Sequence, residues 1–303
     1  MQNILINNTN MELAMIPSLI ITFREVLEMA LIVGIVLGYL SQIRRKDYNK
    51  VVYAGIGFGI LASISGAILF HNLAGGFTGR TEEIFEGITM LIGALLLTTM
   101  LFWMMKQRNI ATDLKQKIDH QLESQHGWGL FLLVFVSILR EGIETVIFLS
   151  ASNVASESNS LIGGAVGILL AMVVGYLFFF STKDIDIKRF FNYTSFILVL
   201  FAAGLVAHGV HELQEAGIIP VIIEHIWDIN PAVVIKGEFP LLHEKGLIGG
   251  ILKGLFGYNG NPTLLEVISY VIYLVSAAWL WKRETDRKAL GMTRPVTTNL
   301  VNS

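Results

Sequence analysis

No cysteine occurs in the 303 residues. Disulfides, thiolate metal sites and thiol nucleophiles are therefore excluded. Charge is scarce: Asp, Glu, Lys and Arg make up 15% of the chain, against about 25% in an ordinary soluble domain. No P-loop motif is present, which argues against ATP hydrolysis by this chain. No stretch alternates with period two, so barrel strands are not expected. The N-terminus lacks the basic region of a cleavable signal peptide. Apolar residues fill the space these absences leave. They amount to 53% of the sequence, with a mean hydropathy of +0.61, which places the chain in the membrane class.

Seven apolar segments are long enough to cross a bilayer, near residues 13–40, 51–71, 82–105, 128–152, 161–180, 190–212 and 263–282. A spanning helix needs about 20 residues, and a lone span in lipid must be helical to satisfy its own backbone. The expected fold is thus an all-α integral membrane protein, a single transmembrane domain over residues 1–303. Basic residues set its orientation. The connections after the first, third and fifth spans and the C-terminal tail carry 16 Lys and Arg, among them Arg44, Lys115, Lys188 and Arg283. The opposite connections carry only Arg80, Lys236, Lys245 and Lys253. The N-terminus is therefore expected outside and the C-terminus in the cytoplasm. The longest connection, about 213–262, faces outside and reads as a folded cap more than as a metal-capture loop, despite Glu215, Glu224, His225, Asp228, Glu238, His243 and Glu244. Its apolar run Ile218–Ile223 is too short to span and suits an interfacial or re-entrant segment.

The first three spans resemble the next three. The first helix of each triplet carries R-E-x-x-E, as Arg24-Glu25-x-x-Glu28 and Arg140-Glu141-x-x-Glu144. The second helix of each carries G-x-x-x-G, Gly55 to Gly59 and Gly163 to Gly167. A three-helix unit (about 13–105, then about 128–212) inverts its direction on repetition. Inverted repeats are common in secondary transporters, whose sites lie near the midplane at the repeat interface. A seventh helix, about 263–282, follows.

The charged motifs fall in mid-span, where one charge costs about 2.5–3.5 kcal/mol on insertion scales. Six such groups must face the bundle interior. Glutamates three apart share one helix face, so Glu25 pairs with Glu28 and Glu141 with Glu144. Two arginines against four glutamates leave two negative charges, which a cation or protons must balance. Oxygen donors without cysteine suit iron, Mn, Mg or Ca over soft metals. Arg24 and Arg140 then hold carboxylate rotamers and temper the charge. A second pair of clusters is expected at an outer vestibule: Glu83 and Glu86 at the start of the third span, and His208, His211 and Glu212 at the end of the sixth.

These motifs resemble the iron permease family, whose signature is R-E-G-L-E in the first and fourth transmembrane helices. Val26 stands for glycine in the first copy and Ile143 for leucine in the second; neither alters a polar group. Similar, too, are Glu83-Ile84-Phe85-Glu86-Gly87 and the stretch from Gly204 to Leu213. The resemblance covers about residues 18–282. It implies a permease, not an enzyme, that imports iron through the four motif glutamates. Iron, Fe(II) or Fe(III), would be transported substrate, with no permanently bound cofactor. It implies a multi-pass protein of a bacterial or archaeal plasma membrane, and a separate extracytoplasmic iron oxidase or iron-binding protein as partner. No nucleic-acid partner is expected. Transport of another divalent cation such as Mn or Pb is the alternative, followed by a membrane-embedded di-metal enzyme.

Overall fold

A computed structural model describes residues 16–106, 110–123, 127–156, 160–180, 187–230, 242–244 and 247–289. Residues 13–15 of the first expected span, Arg108, Lys183, Lys236, Glu238, Lys245 and Arg294 lie outside the described residues. The described residues form, in chain order, the α-helices α1 (Ile16–Gln42), α2 (Asn49–Ala74), α3 (Arg80–Lys106), α4 (Ile110–Glu123), α5 (Trp128–Ser156), α6 (Ser160–Phe180), α7 (Ile187–Glu215), α8 (Leu247–Phe256) and α9 (Leu264–Ala289). A short 3-10 turn, Lys46–Tyr48, leads into α2. No strand occurs among the described residues.

All seven apolar segments are helical, as α1, α2, α3, α5, α6, α7 and α9. Among the described residues, four stretches are long and apolar enough to cross a membrane: Lys46–Ala74, Arg80–Met104, Thr194–Glu215 and Leu264–Asp286. Helices α1 and α5 have 27 and 29 residues, but each contains the three charges of its motif. Large apolar side chains stand exposed along α2 and α6, including Phe58, Leu61, Leu69, Leu169 and Val173. Exposed apolar surface on this scale suits contact with lipid.

Two helices were not expected from the sequence. Helix α4 occupies what reads as a basic loop. Its Leu114, Ile118 and Leu122 recur every fourth residue and pack on the core, with Ile118 fully buried. Helix α8 lies within the long connection between α7 and α9. Ile218–Ile223, by contrast, forms turns and bends after α7 and is mostly exposed.

Two apolar clusters organise the interior. One joins Ile21 of α1, Leu97 and Leu101 of α3, Phe148 and Ala151 of α5, and Leu198, Phe201 and Leu205 of α7. The other joins Val36 and Leu40 of α1, Val52 of α2, Ile118 of α4, and Leu130, Val134 and Ile138 of α5. Residue numbers rise along α1 as they fall along α5 from one cluster to the other, so the two helices run antiparallel. The charged motifs, 24–28 and 140–144, lie between the clusters on both helices.

Helix α1 packs along α6, α2 along α5, α3 along α7, and α7 along α9. Small residues permit the first two contacts. A methyl group at Gly59 would come within 2.8 Å of the Ile138 side chain, and one at Gly167 within 2.6 Å of the Leu19 carbonyl. At the end of α8, Gly257 has φ +64° and its Cα abuts Gly204 of α7. A side chain there would meet both the left-handed penalty and the neighbouring backbone.

Candidate metal-transport site

The R-E-x-x-E spacing puts both carboxylates of a motif on one helix face, and the antiparallel crossing of α1 and α5 turns the two faces together. Oxygens of Glu25, Glu28 and Glu141 lie within 4.8 Å of one another, all from buried residues. The fourth motif glutamate, Glu144, belongs to the same interior but not to this tightest group. Each arginine grips its own motif. Arg24 Nη1 donates to Glu25 Oε1 at 3.0 Å, and Nη2 lies 3.0 Å from Glu28 Oε1. Arg140 reaches Glu141 Oε1 through Nη2 at 2.8 Å, and Glu144 Oε1 through Nε at 3.3 Å.

These pairs do not exhaust the carboxylates. The second oxygens of Glu25, Glu141 and Glu144 are buried with no hydrogen-bond partner. Buried polar atoms are rarely left so. Unpaired carboxylate oxygens converging from two helices are donors that a hard cation can use.

The structure also reveals groups around the motifs that sequence reading passed over. Arg24 Nη1 contacts Met100 Sδ at 3.1 Å and Nη2 contacts Met104 Sδ at 2.9 Å. The Arg140 guanidinium lies over the Trp103 ring, 5.3 Å from its centroid. All three partners sit on α3 and read in the sequence as ordinary apolar positions.

At the other cluster, α3 and α7 meet closely where Gly87 faces Gly209. Glu83 and Glu86 are thereby brought beside the end of α7, and Glu212 feels the charges of Glu86, Glu215 and Glu83. The histidines of this region have other engagements. His208 is buried, and its Nδ1 donates to the Gly204 carbonyl at 3.1 Å. His211 places Nδ1 2.9 Å from Glu266 Oε1 and Nε2 3.2 Å from Glu215 Oε1. Glu266, which sequence reading missed, is buried at the start of α9. It accepts from the Thr263 backbone N–H at 3.0 Å, while its own N–H donates to Thr263 Oγ1 at 3.3 Å. This is a capping box, and the T-x-x-E pattern at Thr263 was its available signal. Asn259 also donates to Glu266, at 2.8 Å.

Described residues of the connection between α7 and α9 gather around Glu244. Its carboxylate accepts from Asn230 Nδ2 at 2.7 Å, Gly260 N–H at 2.8 Å and Lys253 Nζ at 3.0 Å. Burial alone would raise this carboxyl, but the Lys253 charge and the Gly260 and Asn230 donors outweigh it and hold it below the ordinary value. Glu244 is thus committed to the cap.

Apolar helices around a buried cluster of carboxylates and arginines define a multi-pass membrane protein with an ionic centre. The Iron permease FTR1 family matches residues 15–283, a stretch that includes both motifs, and the chain belongs to that family. The chain is 33% identical over 268 residues to the ferrous iron permease EfeU of Escherichia coli O6:H1, covering 86% of this chain and 93% of the relative. It is 32% identical over 284 residues to ferrous iron permease EfeU of Yersinia pestis, covering 91% and 98%. The Shigella sonnei protein of that name is 32% identical over 264 residues, covering 85% and 92%. No solved structure matches the chain.

Proposed function

We propose that this protein imports ferrous iron across a bacterial or archaeal plasma membrane, passing it through Glu25, Glu28, Glu141 and Glu144. The observation that carries this reading is the convergence of oxygens from Glu25, Glu28 and Glu141 within 4.8 Å, contributed by two antiparallel helices. Charge supports the divalent ion. Four carboxylates and two guanidiniums sum to two negative charges, and one Fe(II) makes the centre neutral, whereas Fe(III) leaves an excess positive charge in a buried place. The names of the relatives agree with that choice.

The architecture in this reading is seven transmembrane helices, α1, α2, α3, α5, α6, α7 and α9, with α1–α3 and α5–α7 as inverted repeats. The exchange of partners supports it: α1 lies on α6 as α2 lies on α5, each contact made at a glycine of the repeated G-x-x-x-G. The N-terminus is outside and the C-terminus cytoplasmic, by the distribution of Lys and Arg. Iron collects first at the outer cluster of Glu83, Glu86, His208 and Glu212, with His211 released from Glu266 as needed. A separate extracytoplasmic iron-binding protein delivers it as Fe(II).

The test is Fe(II) uptake into proteoliposomes under anaerobic conditions. Glu25→Ala and Glu141→Ala, each with verified insertion, are expected to abolish uptake. Wild-type uptake by either variant would remove these residues from the path. Competition by Mn(II) and Pb(II) separates an iron permease from a carrier of other divalent ions.

A further inference from the structure

The two motif arginines are chemically identical and physically unlike. The side chains of Arg24 and Glu25 are fully buried, and that of Glu141 is 1% exposed. The Arg140 side chain is 45% exposed, and Glu144 beside it 12%. Access to the cluster therefore increases toward Arg140.

Their partners differ in the same sense. Each Nη of Arg24 is shared between a carboxylate and a thioether: Glu25 and Met100 for one, Glu28 and Met104 for the other. Hydrogen bonds to Glu25, Met100 and Met104 and the ion pair with Glu28, from two helices, fix that guanidinium. Arg140 has carboxylates on one side and, among the described residues, the face of Trp103 on the other. Met100, Trp103 and Met104 occupy one turn of α3, so a single turn clamps one arginine and offers the other a smooth surface. A half-exposed arginine side chain in mid-span is disfavoured against hydrocarbon, where its charge would cost about 2.5–3.5 kcal/mol or more. The side of the cluster on which Arg140 stands is therefore wet.

We infer that Arg140 is the gate of the carboxylate cluster, sliding on the Trp103 ring to release Glu141 and Glu144 to the cation, while Arg24 is a fixed counter-charge held by Met100 and Met104. An arriving cation competes for the oxygens that Arg140 grips. The ring face attracts the displaced guanidinium, so the arginine leaves the carboxylates without being stranded. Met100 and Met104 are positioning residues, and so is Trp103. This assignment rests on the carboxylate cluster being the path of the metal.

The absence of cysteine makes the test clean, because Ile143→Cys introduces the chain's single thiol. Ile143 is exposed and lies three residues from Arg140, on the same helix face. A charged, membrane-impermeant thiol reagent is expected to label Ile143→Cys in proteoliposomes, and anaerobic Fe(II) to slow that labelling. In uptake assays Trp103→Phe, which keeps a ring face, is expected to stay within about twofold of wild type. Trp103→Leu should lower the maximal rate roughly tenfold, with a smaller effect on half-saturation. The double variant Met100→Leu/Met104→Leu should do the reverse, raising the half-saturation concentration more than it lowers the rate. A hydrophilic reagent that reaches Ile143→Cys from neither face would overturn the gate, as would Trp103→Leu carrying iron at the wild-type maximal rate. Should Trp103→Leu fail to fold, the labelling decides alone. The labelling reports access to the cluster whether or not iron passes there, so its failure is distinct from normal uptake by Glu141→Ala.

Discussion

Arg24 illustrates how much of this centre depends on the shape of one side chain. A guanidinium presents two separate Nη groups, and here each serves a carboxylate and a sulfur at once. A lysine ammonium is a point charge that cannot span both glutamates. Arg24→Lys keeps the charge and is nonetheless expected to raise the half-saturation concentration for Fe(II) by about tenfold, the loss of one charge-assisted hydrogen bond; unchanged affinity would mean that charge alone matters. The glutamates and arginines of this centre were legible in the sequence, because ionised groups in mid-span stand out and i, i+3 spacing fixes a common face. Met100, Trp103 and Met104 were not. Methionine and tryptophan are the expected content of a membrane helix, and only the path of a distant arginine gives them a role. Glu266 was missed for a related reason: it falls inside the last apolar span, about 263–282, with no second charged residue beside it to mark it, whereas it caps α9 and holds His211.

At the scale of elements, the sequence was clear where a helix is apolar and obscure where it is short or charged. Helix α4 was taken for a loop because Lys115, Lys117 and Asp119 dominate its composition. Its buried stripe of Leu114, Ile118 and Leu122 makes it part of the interior, and Tyr39 of α1 donates to Asp119 at 2.6 Å. The connection between α7 and α9 was expected to be a folded cap, and its described residues gather around the Glu244 carboxylate. The sign of its pH dependence follows from a carboxyl held below its ordinary value of 4.5. Such a group adds stability that is fully present above the unfolded value and is lost as pH falls through the lower folded value. Backbone hydrogen exchange around Gly260, which donates to Glu244, should therefore be slow and steady from neutral pH down to about 4.5. Below that its protection should fall, and Glu244→Gln should abolish this dependence. Protection that is equal in the two proteins at every pH would contradict the assignment.

Considered as a whole, the molecule is a bundle whose ionic centre is complete only when α1 and α5 are in register. The antiparallel relation of these helices was readable from the parity of the repeated spans. Their exchange of partners, α1 to α6 and α2 to α5, was not, because G-x-x-x-G marks a close contact without naming the helix on the other side. A ligand bound between the two helices should stabilise the assembled bundle by mass action, by about 2.7 kcal/mol at a hundredfold excess over Kd. Fe(II) or Mn(II) is expected to raise the thermal unfolding midpoint of detergent-purified protein, and to leave that of Glu25→Gln/Glu141→Gln unchanged. A rise equal in both would place the metal elsewhere. The two apolar clusters that flank the centre carry a further consequence, and it is electrical. Ile21, Leu97, Phe148 and Leu205 form an apolar layer beyond the carboxylates, and such a layer opposes the entry of water past Glu144. In an energised membrane that layer is expected to block protons while the bundle is at rest, and a pH-sensitive dye inside proteoliposomes under an imposed potential should show no more leak than empty vesicles.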